Sequence, residues 1–189
     1  MGRPAKFTRE DILAAALEIT AESGPGAVTM AALAARLGAP TGSLYHRFAS
    51  RDLLLADLWI HGVRRFQRGF VEALAADDAL AAALHTPRWC RSHPARARLL
   101  LLHRRQDVVA DWPERLGPEA ELLERERTDA LSDFAARHPG LDPETLAFAT
   151  VDVPYAAVRR HLLAGRRPPE TVDELITTTC RALLPPSQG

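Results

Sequence analysis

The chain has 189 residues, 47% of them apolar, and 24 Lys and Arg against 24 Asp and Glu give a formal net charge of zero. That length and apolar content suffice to bury a core and exclude a disordered tail-like protein. No apolar run approaches the roughly 20 residues that a membrane-crossing helix needs, and the start MGRPAKFTRED has positive charge but no apolar segment behind it, so it does not read as a secretory signal. The expected setting is cytoplasmic, with Cys90 and Cys180 as reduced, partly buried thiols that match no metal or redox spacing.

Met1 to Phe7 reads as a short basic arm, and TREDILAAALEITAESG from Thr8 as a first helix with Glu10 and Asp11 in its first turn, where they favour the helix dipole. Met30, Leu33, Ala34 and Leu37 then fall at helical spacing, with Thr29 as N-cap and Gly38 as a C-terminal stop. Pro40 suits the first turn of the next helix, where its missing N–H is not needed. In that helix Leu44 and Phe48, four apart, face inward and leave Thr41, Gly42, Ser43, Tyr45, His46 and Arg47 facing outward. Two short helices, a tight turn and a polar outer face make a helix-turn-helix, a scaffold whose second helix can enter a DNA major groove.

From Ser50 to about Ala75 apolar residues recur (Leu54, Leu58, Trp59, Val63, Phe66, Phe70, Leu74) as one long helix, with Arg64, Arg65 and Arg68 on other faces. Asp77-Asp78 breaks it. A helix starting at Ala79 is punctuated at His85-Thr86-Pro87 and again at Ser92-His93-Pro94. Ala95 to Gln106 reads as a helix, Trp112-Pro113 and Gly117-Pro118 as a loop, and Glu119 to His138 as a charged amphipathic helix stopped by Pro139-Gly140. Leu141 to Ala164 and Pro169 to Leu184 are the last two helices, and Pro154 should kink or break the first of them and so open a cavity wall. Nothing alternates with period two. The expected architecture is all-α: an N-terminal three-helix head over residues 1–50, continuous with a helical body over residues 51–189.

The run LGAPTGSLYHRFASRDLL, with its Leu-Gly turn, Leu-Tyr pair, Phe and Ser-Arg-Asp-Leu restart in order, resembles the recognition half of the TetR/AcrR family of bacterial transcriptional regulators. The upstream Thr8 segment is similar to that family's first helix, and the resemblance covers roughly Thr8 to Leu58. Two departures stand out: Arg51 where the family usually has Lys, and Ala39-Pro40 where valine and a polar residue are commoner. Geometry and resemblance together place Thr29, Arg51, Tyr45 and His46 for phosphates and Thr41, Gly42 and Ser43 for base edges; Arg47 reads equally as a DNA contact or a solvated side chain. Residues 1–51 carry six cations (Arg3, Lys6, Arg9, Arg36, Arg47, Arg51) against four anions, so the head is only modestly basic, and its DNA binding should depend strongly on salt.

The resemblance further implies a homodimer, a palindromic double-stranded DNA operator and a small-molecule effector held in the body. Val151, Tyr155, Val158, Leu162 and Leu163, then Val172, Leu175, Ile176, Thr179 and Leu183, form two terminal apolar stripes. In the family the corresponding helices pair with a two-fold mate, which here nominates Val158, Leu162, Leu175, Ile176, Thr179 and Leu183. Two-fold symmetry spaces two heads about one DNA turn, roughly 34–36 Å, apart. Candidate effector-pocket residues are Trp59, Phe66, Phe70, Trp89, His103, Trp112, Phe148 and Tyr155, each with an equally simple role in the core.

Catalytic signatures are missing from the sequence: there is no Gly-rich phosphate loop, HExxH or nucleophile elbow. His85, Cys90, His93 and His103 match no zinc spacing, and Arg88, Arg91, Arg96 and Arg98 among them would repel a cation, so no metal and no cofactor are expected. Asp107, Asp111 and Asp152 give no evident acid pair. Six arginines and no acid between His85 and Arg105, followed by an acid-rich stretch, read as two solvated faces or as a cationic rim that prefers an anionic or polar ligand. The expected function is a ligand-responsive, nucleoid-associated DNA-binding regulator, in the first instance a repressor, and not an enzyme. A protein-interaction adaptor and a small helical enzyme are the alternatives.

Overall fold

The computed structural model describes residues 7–109 and 112–184; the basic arm up to Lys6, and Asp111, lie outside the described residues. Among the described residues every regular element is helical.

Helix α1 (Arg9–Ser23) opens with a capping box, in which Thr8 Oγ1 accepts from the Asp11 N–H at 3.1 Å and the Asp11 carboxylate accepts from the Thr8 N–H at 2.7 Å. Those bonds, chiefly the backbone one, hold the Asp11 carboxyl below its ordinary value. A short 3₁₀ turn (Pro25–Ala27) leads to α2 (Met30–Leu37), which Thr29 caps by accepting from the Ala32 N–H at 3.0 Å. Gly38 ends α2 at φ 60°, a left-handed conformation that glycine adopts without a Cβ clash. Pro40 sits one position ahead of α3 (Thr41–Tyr45), and Ser50 caps α4 (Arg51–Ala75).

The body follows as α5 (Ala79–Ser92), α6 (Pro94–Leu102), α7 (Arg105–Val108), a 3₁₀ turn (Glu114–Leu116), α8 (Gly117–Arg137), α9 (Pro143–Ala147), α10 (Val153–Leu163) and α11 (Thr171–Leu183). Several expected punctuation marks behave differently. Pro87 lies inside α5 without ending it: its ring is buried, and the loss is one ladder bond to the Ala83 carbonyl. Gly117-Pro118 opens α8 instead of marking a loop, because proline is tolerated in the first turn. The expected helix over Ala95 to Gln106 divides at His103. Pro154 does not break its helix, since the π-helical segment Phe148–Asp152 just before it widens the turn and absorbs the missing donor.

Three apolar clusters fill the interior. The first gathers Ile12, Ala16 and Ile19 of α1, Leu33 of α2, Leu44, Phe48, and Leu54, Leu55 and Leu58 of α4, and it also takes in Leu99, Val108 and Val109. The head therefore shares its core with α6 and α7 and does not close at residue 50. The second cluster joins α5 to α10 and α11 through Ala83, Trp89, Cys90, Val158, Leu162, Ile176 and Cys180. Phe70, Leu74, Leu131, Phe134 and Leu146 form the third, where α4, α8 and α9 meet. At Gly69 the absence of a side chain is needed for packing: a Cβ there would lie 2.5 Å from Cε1 of His85, whose Nε2 sits 2.7 Å from the Phe66 carbonyl.

Candidate nucleic-acid interface

Helix α3 is held by Leu44 within it and by Phe48, which follows it after a turn at His46 and Arg47. Leu44 and Phe48 are buried in the head core, while Thr41, Gly42, Ser43, Tyr45, His46 and Arg47 are all exposed. Tyr45 is 52% exposed, so its ring contributes little to the core and presents a face and a hydroxyl outward. The Ser43 hydroxyl donates to the Pro40 carbonyl at 2.7 Å, which leaves its oxygen as an acceptor toward solvent. Nothing lies within 4 Å of where a Gly42 Cβ would stand, so internal packing does not require glycine there.

The arginines of the head divide into engaged and free. Arg36 ties α2 to α1 through Glu18 at 3.3 Å and Glu22 at 2.5 Å. Arg9 reaches Asp57 on α4 and lies over the Phe48 ring. Arg51 is half-buried and turned inward, its Nε donating to the Val28 carbonyl at 2.6 Å and its Nη2 to the Pro25 carbonyl at 2.9 Å. That geometry makes Arg51 a clamp between the first turn of α4 and the loop before α2, a different engagement from the phosphate contact expected of it. Among the described residues the Arg47 guanidinium has neither an ion-pair nor a hydrogen-bond partner, and it stands at the end of α3. Charge counting along the sequence missed this division, because the partners of Arg36 and Arg51 lie 14 to 26 residues away.

The exposed polar α3 on a buried Leu44–Phe48 anchor coincides with a known signature: residues 12–58 match the family model described as bacterial regulatory proteins, tetR family. This N-terminal segment is thus similar to the tetR family of bacterial regulatory proteins. Solved structures with the same fold match over nearly the whole chain. A putative tetR family transcription regulator from Shewanella sp. PV-4 is 17% identical, with 92% of this chain and 95% of that one covered at a TM-score of 0.63. The regulator FadR from Bacillus subtilis, in complex with stearoyl-CoA, is 14% identical over 93% and 97% at 0.67. A putative tetR family protein from Vibrio parahaemolyticus is 22% identical over 94% and 98% at 0.64. No curated protein matches the chain.

In the body the eight aromatic and histidine candidates do not converge. Phe66 and Trp89 pack edge to face at 5.0 Å beside His85 and His93, Trp59 and Trp112 pair at 5.7 Å, and Phe70 belongs to the third cluster. His103 is half-buried at the end of α6. Phe148 and Tyr155 are exposed, and the Tyr155 hydroxyl donates to the Leu101 carbonyl at 3.1 Å. The residues nominated for a dimer contact also divide. Val158, Leu162 and Ile176 lie buried in the second cluster, since the inward face of each stripe packs against α5. Leu175, Thr179 and Leu183 point away from that core, and Leu163, not nominated, is as exposed as Leu175 at 59%.

Cys90 and Cys180 are both buried, and burial pushes the Cys90 thiol up to about 12. Among the described residues no three His, Cys, Asp or Glu side chains gather as a metal site, and no helix is long and apolar enough to cross a membrane. A cavity of about 570 Å³ lies between α4 and α8, lined by none of the eight pocket candidates.

Proposed function

We propose that this regulator binds a palindromic double-stranded operator as a homodimer, represses from it, and is released by a small-molecule effector. Residues 1–50 act as the DNA-binding unit, and residues 51–189 hold the effector and the dimer contact. The observation that carries the reading is the outward set Thr41, Gly42, Ser43, Tyr45, His46 and Arg47 on a helix fixed by buried Leu44 and Phe48. Thr41, Gly42 and Ser43 read base edges; Tyr45, His46, Arg47 and the Thr29 end of α2 meet phosphates. Arg51 supports DNA binding through the clamp that fixes the loop leading into α2.

The homodimer rests on the exposed apolar side chains of the last helices, Leu163, Leu175 and Leu183, which a two-fold contact would cover. The Bacillus subtilis relative's complex with stearoyl-CoA supports a ligand-responsive body. Release follows from differential affinity alone: an effector that prefers a body conformation with displaced heads draws the population off DNA. Taking occupancy from 1:99 to 99:1 requires about 5.5 kcal/mol of such preference.

Selection of bound duplexes from a random library, with Tyr45→Ala in parallel, tests the reading. A two-fold symmetric motif enriched by the native protein and lost in the variant is expected. Enrichment of no motif at low salt, or an identical motif from Tyr45→Ala, would overturn the assignment of α3.

A further inference from the structure

The cleft between α4 and α8 combines three features that nothing in the DNA-binding unit requires. Its walls carry Arg64 and Arg68 from α4 against Glu72 on α4 and Glu126, Asp129 and Asp133 on α8, two cations to four anions. Arg64 is already paired with Glu119, whereas none of the four carboxylates has an ion-pair partner among the described residues. Between them Val71, Leu123 and Ala130 give the cleft an apolar strip.

The second feature is Gln67. Its side chain lines the cleft, only 8% of the residue is exposed, and its Oε1 is buried with no hydrogen-bond partner. A buried amide oxygen with no donor is destabilising, and a leucine of similar size would avoid that cost. An acceptor left waiting beside unpaired carboxylates calls for a donor that carries positive charge. The third feature is size: about 570 Å³ lies within the range typical of small-molecule sites. Among the described residues the carboxylates do not gather into a metal-binding group, and the apolar strip beside them suits an organic cation.

We propose that the α4–α8 cleft binds a small organic cation, a protonated amine with an apolar portion. The ammonium lies among Glu126, Asp129 and Asp133 and donates to Gln67, and the hydrocarbon rests on Val71, Leu123 and Ala130. This deepens the effector reading above and, for regulation, rests on it. Arg64 gives the cleft a route to the head, since it also lines a smaller hollow with Arg9, Asp57, His61 and Glu119 where α1 meets α4. A bound cation that draws carboxylates away from the Arg64 neighbourhood changes the charge balance beside the Arg9–Asp57 pair.

Calorimetric titration of the full chain without DNA tests the site. The probes are 2-phenylethylamine, tryptamine and hexylamine, each set against its carboxylate counterpart (3-phenylpropionate, indole-3-propionate and heptanoate). At least one amine is expected to bind with a Kd below about 1 mM, the weak end of specific affinity, and the matched acid is not. Glu126→Gln and Asp129→Asn should each weaken the amine about tenfold, the scale of one charge-assisted hydrogen bond. Gln67→Leu should weaken it similarly while leaving the melting temperature unchanged or higher, which separates ligand loss from misfolding. No amine binding up to about 10 mM, equal binding of the acids, or affinity untouched by all three variants overturns the proposal. Because DNA is absent, failure to select an operator leaves this result standing. Amine binding that does not loosen operator binding keeps the site and removes its effector role.

Discussion

The helix-turn-helix and the helices that follow it treat buried polar groups in different ways. Among the described residues four buried side-chain nitrogen or oxygen atoms lack a partner, on Trp59, Gln67, His93 and Trp112; all four follow the helix-turn-helix in sequence, and Trp59 and Trp112 pack against the cluster that the head shares with α6 and α7. Within the head, caps and clamps satisfy the interior: Thr8, Thr29 and Ser50 take up orphan N–H groups, and Arg51 takes up two loop carbonyls. A recognition unit must hold α3 in one geometry against solvent, so unsatisfied groups there would only loosen it. The body tolerates such groups, and a ligand can satisfy them.

The largest test of the contrast is Leu44→Ala. With Leu44 fully buried under α3, the cavity should cost about 2–5 kcal/mol in urea denaturation and abolish operator binding, whereas Gln67→Leu in the body should cost nothing. Arg51→Met comes next and should cost about 1–3 kcal/mol by stranding the Pro25 and Val28 carbonyls. Residual DNA binding of that variant should keep the native salt dependence. A slope of log K on log salt reduced by about one would instead make Arg51 a phosphate ligand.

The third prediction concerns pH and the body. Burial, the largest influence, holds the His85 imidazole below its ordinary value against the smaller opposing effect of the Phe66 carbonyl. A folded-state value below the unfolded one means that the unfolded chain binds the proton more readily. The stability it contributes is therefore fully present above about pH 6.5 and lost as the pH falls below that. Thermal melts at descending pH should show this loss, and His85→Gln should flatten the dependence; an unchanged profile in the variant would assign the effect elsewhere. Smallest is Tyr45→Ala, which should alter stability by no more than about 0.5 kcal/mol yet weaken binding to all duplexes, as read by fluorescence anisotropy.

The head was legible because its signals are local. Thr29 and Gly38 bracket α2 within ten residues, and the spacing of Leu44 and Phe48 marks both as buried, although α3 ends at Tyr45 and Phe48 follows it. Arg51 escaped because its acceptors are backbone carbonyls 23 and 26 residues earlier, and carbonyls leave no mark in sequence. In the terminal helices apolar residues occur on both faces, so Val158 and Ile176 in the core read the same as Leu163 and Leu175 on the surface. Pro154 was visible but its consequence was not, since a π turn and a break satisfy the same missing donor. The cationic rim suggested by the arginines between residues 85 and 105 also found another use in part, as Arg91 pairs with Asp173 at 2.7 Å to tie α5 to α11. The α4–α8 cleft depends on two segments some 60 residues apart, as the Arg64–Glu119 pair does, and no local pattern announces it.

The Arg51 clamp makes α4 a rigid lever with α3 mounted near its tip. The helix runs 25 residues, about 37 Å at 1.5 Å per residue, and Arg51 bolts its first turn to the loop that precedes α2. A tilt of about 5° at the far end sweeps the recognition surface through roughly 3 Å over that length. That sweep is about the full length of a hydrogen bond, so under the proposed reading such a tilt would carry Thr41, Gly42 and Ser43 out of reach of base edges together.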